Sequence, residues 1–283
     1  MKPPPFAYHA PEDVPAALRL LAEHGAGAKV LAGGQSLIPL LNMRLAAPAH
    51  LVDINRLAGL DAIAAGPDGV RVGALVRHAA LARHAGAART QPLLRRALRL
   101  VAHPVIRNRG TVVGSLAHAD PAAELPAVLA LLGGTVELAS ASGRRTVAAA
   151  EFFLGPLEPA ARPEELAVGA WFPAAPGRSG CAFEEVTRRH GDFALAGVAA
   201  TVTLSDDGRV TAARAAYVGV GSPPPVLDLT EAADGGADLR AYVGGRIEPE
   251  ADIHATAEYR RHLAGVLTER ALRAARRDAL GEP

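Results

Sequence analysis

Only one cysteine, Cys181, stands among the 283 residues. A single thiol builds no disulfide framework, no cysteine zinc site and no iron–sulfur cluster, so any cluster exchanging electrons with this protein sits on another chain. Aromatic residues make up 4%, too few for the stacked platforms that hold single-stranded nucleic acid. Charge of one sign is not in excess either. The 30 basic and 29 acidic side chains give a net charge of +1, which argues against nucleic acid or an anionic membrane as partner. Arg260, Arg261, Arg270, Arg273, Arg276 and Arg277 crowd one segment, but acids are interspersed among them. The N-terminus lacks a signal-peptide apolar core, and no uninterrupted apolar run approaches the ~20 residues that span a bilayer. The expected location is the cytoplasm.

What is present is organised in three sections. Val14, Ala17, Leu18 and Leu21 fall at helical spacing before Gly25. A strand over Val30 to Ala32, a helix opening near Ser36 and a strand over His50 to Asn55 follow, an order that predicts a small parallel α/β lobe. From about Leu57 the pattern changes. Val70 to Ala74 alternates as a strand, Arg77 to His84 and Leu93 to Val101 read as helices, and Val105 to Gly110 as a polar loop. Thr111 to Pro121 reads as a glycine-bearing loop feeding a helix over Ala123 to Leu132, with strands at Val136 to Leu138, Thr146 to Ala148 and Leu166 to Phe172. Pro173 to Gly180 is punctuated as a linker. Beyond it, Ala182 to Arg188, Ala194 to Leu204 and Val210 to Val220 read as a meander with a hairpin turn at Asp206-Asp207-Gly208, and a last helix spans Ala255 to Leu280. The expected fold class is α+β, with α/β lobes at about 1–56 and 57–175 and a C-terminal domain at 178–283.

Residues 29 to 44 are the most informative stretch: an apolar strand runs into Gly33-Gly34 and then Ser36, which is placed to cap a helix with Pro39 in its first turn. Glycines there free the backbone amides to surround an anion. An NTPase phosphate loop is excluded because residues 31–43 carry no charge, and a Rossmann fingerprint because the glycine spacing is wrong. A hydrolase nucleophile elbow wants glycine where Ile38 stands. A plain strand-to-helix connection also fits. The balance shifts at Gly114-Ser115, which repeats the same chemistry in another lobe, so the pair suggests a diphosphate held between lobes. His118 with Asp120, and His78 with His84, lack a third ligand at useful spacing, so no metal is expected.

Ala32 to Ala46, Leu51 to Ile54, Thr111 to Pro121 and Arg188 to Ala194 together resemble the FAD-binding medium subunit of the molybdenum hydroxylases, the family of carbon monoxide dehydrogenase and xanthine dehydrogenase. The likeness runs in order from Phe6 to about Ala274 and includes Glu258 to Leu263. It implies a two-lobed FAD-binding domain of the PCMH or vanillyl-alcohol-oxidase type, then a C-terminal α/β domain with a three-stranded antiparallel sheet and helices. By this resemblance Val30, Leu31, Ala32, Gly33, Gly34, Gln35, Ser36 and Leu37 line the diphosphate and ribityl side, and Thr111, Gly114 and Ser115 close the other. Val101 and Ala102 pack on the flavin or adenine, Glu124 and Asp120 face the nucleotide's hydroxyls, and Ala167 lies on a strand facing the ring. Phe193 stands where some relatives have a tyrosine over the isoalloxazine, Glu185 or Glu184 where relatives often place a lysine, and Gln35 where some have histidine. No side chain is expected to act as a catalytic acid or base. The implied partners are a small subunit with [2Fe–2S] clusters and a large subunit with the molybdopterin cofactor, assembled as a dimer of heterotrimers. Electrons would pass through FAD to NAD or a quinone-type acceptor. The rival reading is a nucleotide- or FAD-binding module without redox turnover, in an assembly or sensor role.

Overall fold

Asp13 starts the first helix by accepting a hydrogen bond from the Ala16 N–H at 2.7 Å, and Pro15 sits in the first turn, where its missing donor is not needed. This is seen in a computed structural model that describes residues 1–233 and 238–282. The first lobe runs β1 (Ala7–His9), α1 (Val14–His24), β2 (Ala28–Leu31), α2 (Leu37–Asn42) and β3 (His50–Asp53). The strands pair in the order β1-β3-β2, all parallel. Ala17, Leu18 and Leu21 of α1 share a core with Val52 and Ile54. The sequence alone does not reveal β1, because three mostly exposed residues carry no apolar alternation.

The second lobe is longer. After β4 (Ile63–Gly66) and β5 (Gly69–Gly73) come α3 (His78–Arg83), α4 (Ala85–Thr90), α5 (Pro92–Leu100), α6 (Pro104–Arg107), α7 (Val112–His118) and α8 (Glu124–Leu132). The chain then returns through β6 (Thr135–Ser140), β7 (Gly143–Ala148), α9 (Ala149–Phe152), the small hairpin β8 (Phe153–Gly155) and β9 (Glu158–Pro159), and β10 (Leu166–Pro173). The antiparallel sheet has the order β4-β5-β10-β6-β7. Two expectations are corrected here. The polar loop expected over Val105 to Gly110 begins as the helical turn α6, whose Arg107 folds back on the end of α5. Thr111 to Ser115 is not a loop but the cap and first turn of α7, because Val112, Val113 and Leu116 are buried on one face and Thr111 supplies the cap.

In the C-terminal section β11 (Ser179–Thr187), β12 (Ala194–Leu204) and β13 (Val210–Val218) form the expected antiparallel meander. A fourth strand, β14 (Val226–Asp228), pairs with β13; the expectation of three strands missed it because it is three residues long and follows a proline-rich loop. The helices α10 (Leu239–Gly244) and α11 (Ala257–Leu280) complete the chain. Strand alternation splits the sheet between two cores. Cys181, Phe183, Ala199, Ala216 and Val218 join the second lobe's core, while Ala182, Val198, Ala200, Ala215 and Tyr217 pack with Leu263, Leu267 and Ala271 of α11. Arg96 of α5 binds Asp278 of α11 at 2.5 Å, and the same carboxylate accepts from the Cys181 N–H at 2.9 Å. The linker at Pro173 to Gly180 therefore punctuates the chain without interrupting its packing.

Candidate cofactor-binding site

Loop 32–36 is positioned by the polar end of β3. Asn55 Nδ2 donates to Ala32 O at 2.8 Å and to Asp53 Oδ1 at 2.6 Å, and Tyr8 O–H donates to Asp53 Oδ2 at 2.6 Å. Burial pushes the Asp53 carboxyl upward, but the hydrogen bonds from Tyr8 and Asn55 outweigh it and hold the group below its ordinary range. Arg77 ties this cluster to the second lobe, donating to Asn55 Oδ1 at 2.6 Å and to the Arg109 carbonyl.

Gly33 stands where the lobes touch: a Cβ there would lie 2.5 Å from Arg109 O and 2.8 Å from Gly110 Cα. Gly34 has φ +73°, which disfavours other residues. Among the described residues, no backbone N–H from Gly33 to Leu37 donates to a protein acceptor. Consecutive unpartnered amides on one turn form a concavity that an anion satisfies. Ser36 occupies the N-cap position of α2 but has helical angles and makes no side-chain cap; a capping side chain needs extended backbone. Because α2 has six residues, the amides rather than a long helix dipole carry the attraction.

A cleft of about 350 Å³ opens over this turn, lined by Leu31 to Gln35 together with Asp53, Asn55 and Arg109. Arg109 is a cleft-wall residue that the sequence reading did not single out. The first turn is uncharged in sequence, but the second lobe brings Arg109 to the cleft wall. The available signal was the polar run Arg107-Asn108-Arg109-Gly110 directly before Thr111.

The second turn is built differently. Thr111 Oγ1 accepts from the Gly114 N–H at 3.1 Å, Thr111 O accepts from the Ser115 N–H at 3.0 Å, and the Val112 N–H donates to Val76 O at 3.0 Å. Its amides are mostly consumed within the protein. Beneath it His78 is buried with neither ring nitrogen partnered, and burial pushes its pKa down to about 4.

The remaining expected residues spread outward. The Val101 and Ala102 carbonyls both accept from Arg107 Nη1 at 2.7 Å, and Ala102 has φ +42°. Asp120 Oδ1 accepts from the Ala122 N–H at 2.8 Å, which shapes the turn into α8. Glu124 opens α8 in a buried position, and burial, aided by Glu185, pushes its pKa up to about 8. Glu185 shares the β11 face of Cys181 and Phe183, toward the second lobe, and burial pushes it up to about 7; Glu184 lies on the opposite face by alternation. Ala167 sits on β10 opposite Leu138, beside a bulge. Phe193, 63% exposed, lines a separate cleft of about 410 Å³ with Arg188, Asp252, His254 and Arg260. Val30 packs against the first lobe's core. Thus Leu31, Ala32, Gly33, Gly34 and Gln35 share one cleft wall. Val30, Ser36, Leu37, Val101, Ala102, Thr111, Gly114, Ser115, Asp120, Glu124, Ala167 and Glu185 lie on the wall of neither cleft.

Two family models match the chain in tandem: the FAD binding domain in molybdopterin dehydrogenase over residues 4–175, and the CO dehydrogenase flavoprotein C-terminal domain over residues 181–275. The chain belongs to this flavoprotein family. It is an FAD-binding oxidoreductase subunit of the carbon monoxide dehydrogenase and xanthine dehydrogenase type. Among relatives of this family, it is 42% identical to the 6-hydroxypseudooxynicotine dehydrogenase complex subunit alpha of Paenarthrobacter nicotinovorans, over 96% of this chain and 95% of that one. It is 36% identical to the carbon monoxide dehydrogenase medium chain of Hydrogenophaga pseudoflava, over 97% and 98% of the two chains. A solved structure, reconstituted CO dehydrogenase from Oligotropha carboxidovorans, superposes with a TM-score of 0.91 at 34% identity, over 98% of this chain and 100% of that one. These relatives of the flavoprotein family are medium chains or subunits of larger complexes. Among the described residues no helix is long and apolar enough to cross a membrane.

Proposed function

We propose that the chain is the electron-transfer subunit of a molybdenum hydroxylase and holds the FAD diphosphate on the amides of Gly33 to Leu37. The observation that carries this reading is the run of unpartnered N–H groups on a turn whose wall includes Arg109. A cradle of that kind fits a phosphate-bearing nucleotide, and a Cβ at Gly33 would close the inter-lobe approach that shapes it. When bound, FAD supplies a carrier that takes up electrons singly and releases them singly or in pairs. The chain's own residues orient it. The amides and the Ser36 hydroxyl receive the phosphate oxygens, and Arg109 adds a neutralising charge-assisted contact. The Asn55–Arg77 bond keeps the two lobes in register. In this reading electrons arrive from [2Fe–2S] clusters on a small subunit, the large subunit carries the molybdopterin cofactor, the acceptor is NAD or a quinone-type molecule, and the assembly is a dimer of heterotrimers in the cytoplasm.

The test is to purify the chain with its co-expressed partners, record flavin absorbance and add the complex's substrate anaerobically. Bleaching of the flavin band supports electron transfer. A colourless preparation that takes up no added FAD overturns the cofactor assignment, whereas bound FAD that never bleaches favours the module without redox turnover.

A further inference from the structure

Three histidines far apart in sequence converge on the first lobe, away from the cofactor cleft. His9 ends β1, His24 ends α1 and His50 begins β3. One ring nitrogen from each lies within 4.8 Å of the other two. His9 Nε2 and His50 Nδ1 are 3.0 Å apart, and the His24 and His50 rings stack with centroids 3.7 Å apart, 5° from parallel. All three are half-buried. Tetrahedral zinc with bonds of about 2.0–2.1 Å requires nitrogens roughly 3.4 Å apart. The 3.0 Å and sub-4.8 Å separations bracket that value, but the His24 and His50 rings lie face to face, so one of them must rotate out of the stack before the in-plane lone pairs meet at one ion.

We propose that His9, His24 and His50 form a binding site for a late first-row divalent cation, represented by Zn²⁺, with a fourth position left for water. The chemistry of the surroundings favours it. Imidazole suits this class of metal, and a neutral donor set near the carbonyl end of α1 favours added positive charge. The proton now shared between His9 and His50 moves to a far ring nitrogen as the metal takes its place, so binding needs no net proton loss from neutral rings. The metal would fasten the end of α1 to β1 and β3. His50 and Asp53 lie at opposite ends of β3, about 10 Å apart along the strand, so the site would brace the lobe that holds the cradle without entering it. The sequence expectation of no metal rested on His118 with Asp120 and His78 with His84; spacings of 15 and 26 residues hide this trio.

The experiment uses the full chain, with partners if it is purified that way, stripped with a chelator and dialysed against Zn²⁺ or Co²⁺. One Zn²⁺ per chain, a visible tetrahedral Co²⁺ spectrum and a rise in Tm with added Zn²⁺ are expected. His24→Gln and His50→Gln should each lose the metal and the spectrum while keeping the wild-type circular dichroism and FAD content. His262→Gln, at an exposed position on α11, should change nothing. Absence of Zn²⁺ uptake overturns the site, and so does uptake that both cluster variants retain. If one variant fails to fold, the other decides.

Discussion

The two glycine-bearing turns that meet at the lobe boundary share a composition and differ in what their amides do. From Gly33 to Leu37 the N–H groups have no protein acceptor among the described residues, whereas from Thr111 to Ser115 most are already bonded. In the second turn the acceptors are at hand: extended Thr111 (φ −111°, ψ 147°) caps the Gly114 N–H, Val76 O takes the Val112 N–H and Thr111 O the Ser115 N–H, whereas among the described residues no protein acceptor faces the amides of the first. The first turn leaves its amides open, and the second satisfies most of its own. The glycines differ in the same way. At Gly33 an added methyl would meet the backbone of Arg109 and Gly110, but at Gly114 it would collide with the Thr111 hydroxyl, a side chain.

The sharpest way to break this contrast is to fill both glycines. Gly33→Val should remove FAD almost entirely, because the backbone it meets cannot rotate away and the amides lose their concavity. Gly114→Ala should disturb only the cap, at about 1 kcal/mol, and keep most of the flavin. Flavin absorbance per chain and Tm measure the two effects. Equal loss of FAD in both variants would make the second turn part of the cradle.

Glu124, just beyond the second turn, gives the next largest effect. Its ordinary pKa of 4.5 rises to about 8 in the folded chain, so between those values the folded state keeps a proton that the unfolded state has released. Stability therefore falls as pH rises from about 4.5 to 8 and levels off above. Glu124→Gln should abolish that fall, gaining on the order of 4 kcal/mol at pH 8 and almost nothing at pH 4. Denaturant midpoints across this range test it, and parallel curves for both proteins would mean the carboxyl is solvated.

How much was legible follows from the same physics. The strand, the two glycines and the helix start are local patterns, and they stand in the structure at Ala28–Leu31, Gly33-Gly34 and Leu37–Asn42. Arg109 was not legible as part of the first turn, because its place depends on how the lobes dock. Whether Thr111 to Ser115 is a loop or a cap could not be read from Gly114, since glycine is common to both; the buried Val112, Val113 and Leu116 decide it. The choice between Glu184 and Glu185 needed the face of β11, which only the register with β12 supplies.

Arg109→Ala sharpens the comparison from the first turn's side. Arg109 is exposed and lines the cleft, so if its guanidinium meets the phosphates its loss should weaken FAD binding about tenfold, the scale of one charge-assisted hydrogen bond. Salt should shrink the difference between the variant and the parent as screening replaces the missing charge. Titration of the flavin-free protein at low and high ionic strength reads both. A loss that ignores salt would assign Arg109 a packing role.

The smallest effect belongs to Thr111. At 3% exposure its hydroxyl accepts from the Gly114 N–H at 3.1 Å, and Thr111 is not among the residues that line the cleft. Thr111→Val keeps the shape and removes the acceptor, so stability should fall by about 1 kcal/mol while FAD affinity changes less than about twofold, under ~0.4 kcal/mol. Thr111→Ser should restore the cap. If valine costs the protein its flavin and serine returns it with no change in Tm, the hydroxyl touches the cofactor, and the division between an open turn and a closed one fails.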